Sequence, residues 1–473
     1  MTKRRNLLFI AMSIIFLFNV TAVFAVSEKT SEPEIVSVSH SYDISSSIHV
    51  DLSQYDGTYL IKSSGMYVLE GALIGSLNID ASKTDIIQLV MNNAQINNPD
   101  GPGINILKAQ KVSIILTEDS QNKISCTNVN EDLKNADKTA MYVQSDMAIS
   151  GSGNLEIQSE IGHGILCQGS LKIEDGNISI AAFKDGMNVK DNIDIFNGNI
   201  HIRTGADGIV STGKKDDQGG IQIDGGNITI TAGQDGIQAE SSLMITGGIF
   251  DIFTGNGGTA VHFVGEEVAA QAIDPDSSAF IQRGSLMQQT PENSSKSMKG
   301  LKANTSLTLT GGSFTINSQD DAISSKGNIL IDGGSYTILT SDDGIQAREH
   351  LHIKSGSILI IGCYEGLEGQ TITIDGGHID ITASDDGINA ASPEGKGIEY
   401  EEDVWVVING GTLNIVAGHD AIDSNGTLTI NGGYVNLTIK YSGKRDAAID
   451  TDAGFFFNGG EVITNDGSEK DAK

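Results

Sequence analysis

Apolar residues along this chain keep a fixed register with paired glycines. Two positions after a recurring glycine, the second of a Gly-Gly pair in most repeats, stand Ile178, Ile200, Ile228, Phe250, Phe314, Tyr336, Ile358, Ile379, Leu413 and Val435. Four positions after it come Ile180, Ile202, Ile230, Ile252, Ile316, Ile338, Ile360, Ile381, Ile415 and Leu437, with Thr, Asp, Asn or Lys commonly between. This alternation predicts short strands with one buried face, and the β-branched residues suit a pleated, half-buried surface. The commonest step between glycine pairs is 22 residues, a period that signals a solenoid. One coil cannot bury its apolar face alone. Coils stacked at about 4.8 Å would place each isoleucine ladder above itself and enclose a continuous core. The expected fold is therefore all-β, a single solenoid of the parallel β-helix type with coils of about 22 residues.

A second landmark, an acid followed by Gly or Ala, repeats at Asp185, Asp207, Asp235, Asp321, Asp343, Glu365, Asp386 and Asp420. After this corner comes a further strand, with Ile209, Ile237, Leu301, Ile323, Ile345, Leu367, Ile388 and Ile422 expected inward. Cys167, Ala239, Ala303, Ala347 and Ala390 take the next inward position, which makes Cys167 a packing residue.

Outside the array the pattern changes. Residues 1–25 read as a signal peptide: Lys3, Arg4 and Arg5 precede an apolar run that ends in Val23-Phe24-Ala25. Residues 26–50 read as a linker, 51–150 as an N-terminal cap with irregular first coils, and 151–465 as the regular solenoid. Excursions are expected at 213–219, 262–298 and 391–403, and a polar tail at 466–473. The interior ladder is expected to run on to Phe455 and Phe457 in the last coil.

Composition narrows the function. With 30 basic against 61 acidic side chains the formal net charge is −31, which disfavours nucleic acid and anionic membrane as partners but not divalent cations. Three scattered cysteines are no disulfide framework. The reading is of a secreted monomer.

Between the inward positions of the third strand lies a polar row: Asn188, Gln238, Lys302, Gln346, Glu368, Asn389 and Asp423. Lys302, Gln346, Glu368, Asn389 and Asp423 are the candidate carbohydrate-binding residues, because hydrogen-bonding groups repeated at sheet spacing suit an extended polymer. Aspartate before glycine is ordinary turn chemistry. Stacked carboxylates about 4.8 Å apart, however, repel by about 3.5 kcal/mol at an effective dielectric of 20, so an unbroken stack calls for water, shifted protonation or a cation. The densest stretch offers Asp342, Asp343, Glu365, Glu368, Asp385, Asp386 and Asn389 as ligands, and this all-oxygen set points to calcium, with a solvated acidic corner as the alternative. Thr259, Lys299 and Ala447 interrupt the series of corner acids.

The segments Lys299-Gly300-Leu301-Lys302-Ala303, Asp342-Asp343-Gly344-Ile345, Tyr364-Glu365-Gly366-Leu367-Glu368-Gly369 and Asp385-Asp386-Gly387-Ile388-Asn389-Ala390 resemble the secreted carbohydrate-binding parallel β-helix proteins of clostridia and related bacteria. The resemblance covers roughly residues 55–465. It implies a right-handed β-helix on a pectate-lyase-like scaffold, calcium sites, and binding to plant cell-wall polymers such as cellulose and acidic pectin. Three function classes follow. The first is non-catalytic binding of cell-wall polysaccharide assisted by calcium. The second is a calcium-dependent polysaccharide lyase, with Lys302 as base and Lys299 nearby. The third is a surface protein with a protein partner.

Overall fold

The computed structural model describes residues 46–127, 134, 138–259, 261, 296–393, 403–441 and 446–472. The chain divides into two compact units, Met1–Asp43 and Ile44–Lys473, and the first lies outside the described residues. So do the expected signal peptide, nearly all of the linker, and most of the excursions at 262–298 and 391–403.

The second unit is almost entirely strand, and its strands pair in parallel with partners from the next repeat of the sequence, a β-rich solenoid-like arrangement. Three families of short strands alternate along the chain. Asn177–Ala182, Met187–Val189 and Ile193–Ile195 pair with Asn199–Thr204, Ile209–Ser211 and Ile221–Ile223 respectively. The apolar columns read from the sequence are realised residue for residue, Ile178 above Ile200, Ile228, Phe250, Phe314 and Tyr336. One cluster of buried side chains runs from Val50 to Phe455. Within it the rings of Phe250, Phe314 and Tyr336 stack nearly flat, with centroids 4.6 and 4.9 Å apart. Cys126, Cys167 and Cys363 are free and buried, and burial pushes the Cys167 thiol up to about 12.

Glycine acts at two kinds of corner. The second glycine of each pair has left-handed backbone, as at Gly226 with φ 99°. The glycine after the corner acid is required for space instead: a Cβ on Gly208 would sit 2.5 Å from the Gly236 carbonyl oxygen and 2.6 Å from Ile230 Cγ2.

Parallel stacking also begins earlier than the glycine pairs suggest. Ile86–Asn98, Ile104–Lys108, Lys111–Leu116 and Gln121–Cys126 are aligned with later strands through Met141–Val143, Asp146–Gly151 and Asn154–Ser159. The glycine signature is missing there partly because Asn93 and Asp119 adopt the left-handed conformation, with φ 60° and 58°. At the other end, Phe455 is buried as expected but Phe457 is 40% exposed. Phe457 pairs with Ile430 below, and among the described residues no further strand stacks above it.

The break between residues 259 and 296 does not disturb the register: Gln238 pairs with Lys302 across 64 residues of sequence. Between Ile209–Ser211 and Ile221–Ile223 the shorter excursion is tied at its base by the Ser211 hydroxyl, which donates to the Gly219 carbonyl at 2.6 Å.

Candidate functional site

The polar row forms one column of the parallel stack. Asn188, Val210, Gln238, Lys302, Ser324, Gln346, Glu368, Asn389, Asp423 and Asp450 are successive pairing partners. All five candidate binding residues therefore share one column. Only Lys302, Gln346 and Glu368 line the groove of about 320 Å³ beside it, together with Ser324, Lys326, Arg348 and Gln370. Asn389 and Asp423 belong instead to acidic clusters further along.

The corner acids are arranged differently from a bare stack of carboxylates. Asp207 N–H donates to Asp185 Oδ1 (3.2 Å), Asp235 N–H to Asp207 Oδ1 (3.0 Å) and Lys299 N–H to Asp235 Oδ1 (2.8 Å). Glu365 N–H likewise donates to Asp343 Oδ1, and Asp420 N–H to Asp386 Oδ1. Each of these carboxylates is held by the main chain of the following coil, a structural role that the acid-Gly pattern alone does not reveal. It satisfies one oxygen but does not neutralise the charge.

Charge is balanced unevenly along the row. His163 Nδ1 lies 3.1 Å from Asp185 Oδ2 at one end. Midway, Lys302 Nζ donates to Asp235 Oδ2 at 2.8 Å and to Gln238 Oε1 at 3.1 Å. Lys299 Nζ donates to Asp320 at 2.8 Å and also to the buried Asp321. The two candidate lysine bases are thus bound to carboxylates. Lys302 meets a corner acid of the preceding coil, Asp235, across the long excursion.

Beyond Lys299 the acids crowd together. Four groups bring carboxylate oxygens within 4.8 Å of one another: Asp320, Asp321 and Asp342; Asp343, Glu365 and Glu368; Glu365, Asp385 and Asp386; and Asp420, Asp423 and Asp450. The expected single ligand set is therefore divided: Asp342 joins the Lys299-neutralised group, and the remaining acids form two groups sharing Glu365. The fourth group was not anticipated, because Asp450 supplies a carboxylate from the row column although Ala447 stands at the corner. Among the described residues, the last three groups have no lysine or arginine at ion-pairing distance.

Burial, followed by neighbouring acids, raises several of these carboxyls. Glu365 is pushed up to about 7, with Glu368 and Asp386 adding to burial, and Asp386 and Asp420 to about 6. Asp423 rises to about 7 through burial and then Asp386 and Asp420. Asp343 is raised well above the carboxylate range by burial and by its hydrogen bond with Glu368.

This donor set suits a hard cation. Asn389 gives a further indication. Its Nδ2 donates to Glu365 Oε1 at 2.9 Å, while its Oδ1 is buried without a partner. Reversing the amide would present that oxygen to Glu365, an arrangement that needs positive charge between them.

The family described as "Carbohydrate-binding domain-containing protein" matches residues 55–344 and 340–470. A protein of that description from Acetivibrio thermocellus is 32% identical over 126 residues, 26% of this chain and 44% of the relative, so the match spans less than half the relative's length. A solved structure of a polysaccharide lyase-like protein from C. thermocellum, a gadolinium derivative, is 29% identical and covers 44% of this chain and 91% of its own, with a TM-score of 0.42. With the family matched over nearly the whole of the strand array, the chain belongs to the carbohydrate-binding domain-containing proteins.

Proposed function

We propose that this protein is a secreted, monomeric, non-catalytic binder of cell-wall polysaccharide, of the acidic pectin type or cellulose, with calcium held among Asp343, Glu365, Glu368, Asp385, Asp386 and Asn389. The observation that carries the reading is the column of hydrogen-bonding side chains at one per coil, beside a groove lined by Lys302, Gln346 and Glu368, in a chain of this family. The register offsets of 22 residues, as from Asn177 to Asn199, support a right-handed parallel β-helix with coils of that length. Calcium would supply the positive charge that, among the described residues, no lysine or arginine brings to the last three acidic groups. The binding reading is preferred to the lyase reading because the ammonium groups of Lys302 and Lys299 are each held by a carboxylate.

The test mixes the chain lacking residues 1–25 with polygalacturonate or cellulose, in calcium or chelator, and follows both retention and absorbance of unsaturated product. Retention without product, weakened by chelator, is expected. Product that disappears in Lys302→Ala would establish the lyase instead. Absence of both retention and product would leave the protein-partner class.

A further inference from the structure

Two cations of the groove stand apart from the internal ion pairs. Lys326 and Arg348 follow Ser325 and Ala347, which pair in register, so they occupy the same position on neighbouring coils. Both side chains are exposed and both line the groove. Among the described residues neither has a carboxylate at ion-pairing distance, whereas Lys302 beside them is held by one and Lys299 by two. Acids outnumber bases two to one in this chain. An unneutralised pair of cations at adjacent coils, facing a polar cleft, leaves a local positive site where composition alone predicts a negative one.

The surroundings favour an anion with neutral polar groups around it. Among the described residues Glu368 is the only acid lining the groove, and it is engaged by the Gln346 amide. Ser324, Gln346 and Gln370 offer neutral hydrogen-bonding groups alongside. The guanidinium of Arg348 matches a carboxylate in two parallel hydrogen bonds, while the Lys326 ammonium acts as a point charge. Their placement one coil apart, about 4.8 Å, suits an extended chain that carries charge repeatedly.

We propose that Lys326 and Arg348 form a carboxylate-reading pair, contacting the acid groups of an acidic polysaccharide directly and not through a bridging cation. The inference rests on the polysaccharide-binding reading above and deepens it: the groove selects uronate-type polymer by the charge of these two side chains, without a cation between them and the ligand.

The full chain is titrated, at constant calcium, with polygalacturonate, with its methyl ester and with a soluble neutral glucan. Lys326→Gln combined with Arg348→Gln is expected to weaken polygalacturonate binding by roughly tenfold or more, the scale of losing charge-assisted hydrogen bonds. It should also flatten the salt dependence, with the thermal midpoint unchanged because both side chains are exposed. Arg348→Lys keeps the charge but loses the fork, and should weaken binding by a smaller factor. Unchanged affinity in the double variant overturns the proposal. Binding of neutral glucan alone by the unaltered protein overturns it too, but leaves the polysaccharide reading intact. Binding of none of the polymers overturns both.

Discussion

Lys299 Nζ lies between Asp320 and the buried Asp321, at a corner where other coils carry an acid. Burial opposes the ammonium, yet Asp321 and Asp320 hold its proton more tightly than usual. Lys299 therefore compensates one acidic group with a side chain, whereas among the described residues the groups at Glu365 and Asp420 have no lysine or arginine partner, and His419 Nε2 comes no nearer than 3.7 Å to Asp385. Replacing one member of a buried pair leaves the other charge uncompensated, typically at a cost of 3–5 kcal/mol. For Lys299→Gln we expect a loss of about 3 kcal/mol in chelator, measured by urea unfolding. Millimolar calcium should recover part of that loss, because Asp320, Asp321 and Asp342 would then form an all-oxygen group like the others. Equal stability of the variant in calcium and chelator would show that this group does not take a cation even when its lysine is removed.

At the scale of the strand, stability comes from columns of like residues. Phe314 is fully buried between Phe250 and Tyr336, with ring centroids 4.6 and 4.9 Å away. Each coil contacts chiefly its two neighbours, so a cavity there cannot be filled from elsewhere. Phe314→Ala should cost about 3–5 kcal/mol. Hydrogen exchange should show the loosening concentrated in Ile249–Thr254, Ser313–Ser318 and the aligned part of Asn328–Thr340. Uniform loss of protection across the array would instead indicate that the strands unfold as one cooperative unit.

Over the whole molecule the acid surplus links stability to pH, and Asp207 isolates that effect outside the proposed cation groups. Burial, then Asp235 and Asp185, pushes its carboxyl up to about 7. The folded chain thus binds this proton more tightly than the unfolded chain, whose carboxyl titrates near 3.9. The contribution is fully present below about pH 4 and is lost as pH rises through about 7. Asp207→Asn keeps an oxygen for the Asp235 N–H and removes the titration. The variant should gain roughly 2–4 kcal/mol on the natural protein between pH 4 and pH 8, as read from denaturant midpoints. Parallel pH profiles for the two proteins would refute this account.

Much of this architecture is legible in the sequence because a parallel stack maps repeat spacing directly onto space. Residues 22 apart, such as Ile178 and Ile200, become neighbours, so the buried columns and the polar row follow from periodicity alone. What periodicity could not convey is the partner of each polar side chain. Lys302 reaches Asp235, 67 residues away, across an excursion of a length that no repeat predicts, and this contact turned a candidate base into half of an ion pair. The corner acids read as a repulsive stack until the backbone amides of the following coil were placed against them. Asn93 and Asp119 did glycine's work unmarked in the early coils. The sequence by itself determined which residues are buried and which share a column, since both depend on repetition and hydrophobicity. Only the tertiary structure decided which charges are neutralised, which acids remain crowded and which cations face the groove, since those depend on side-chain reach between coils.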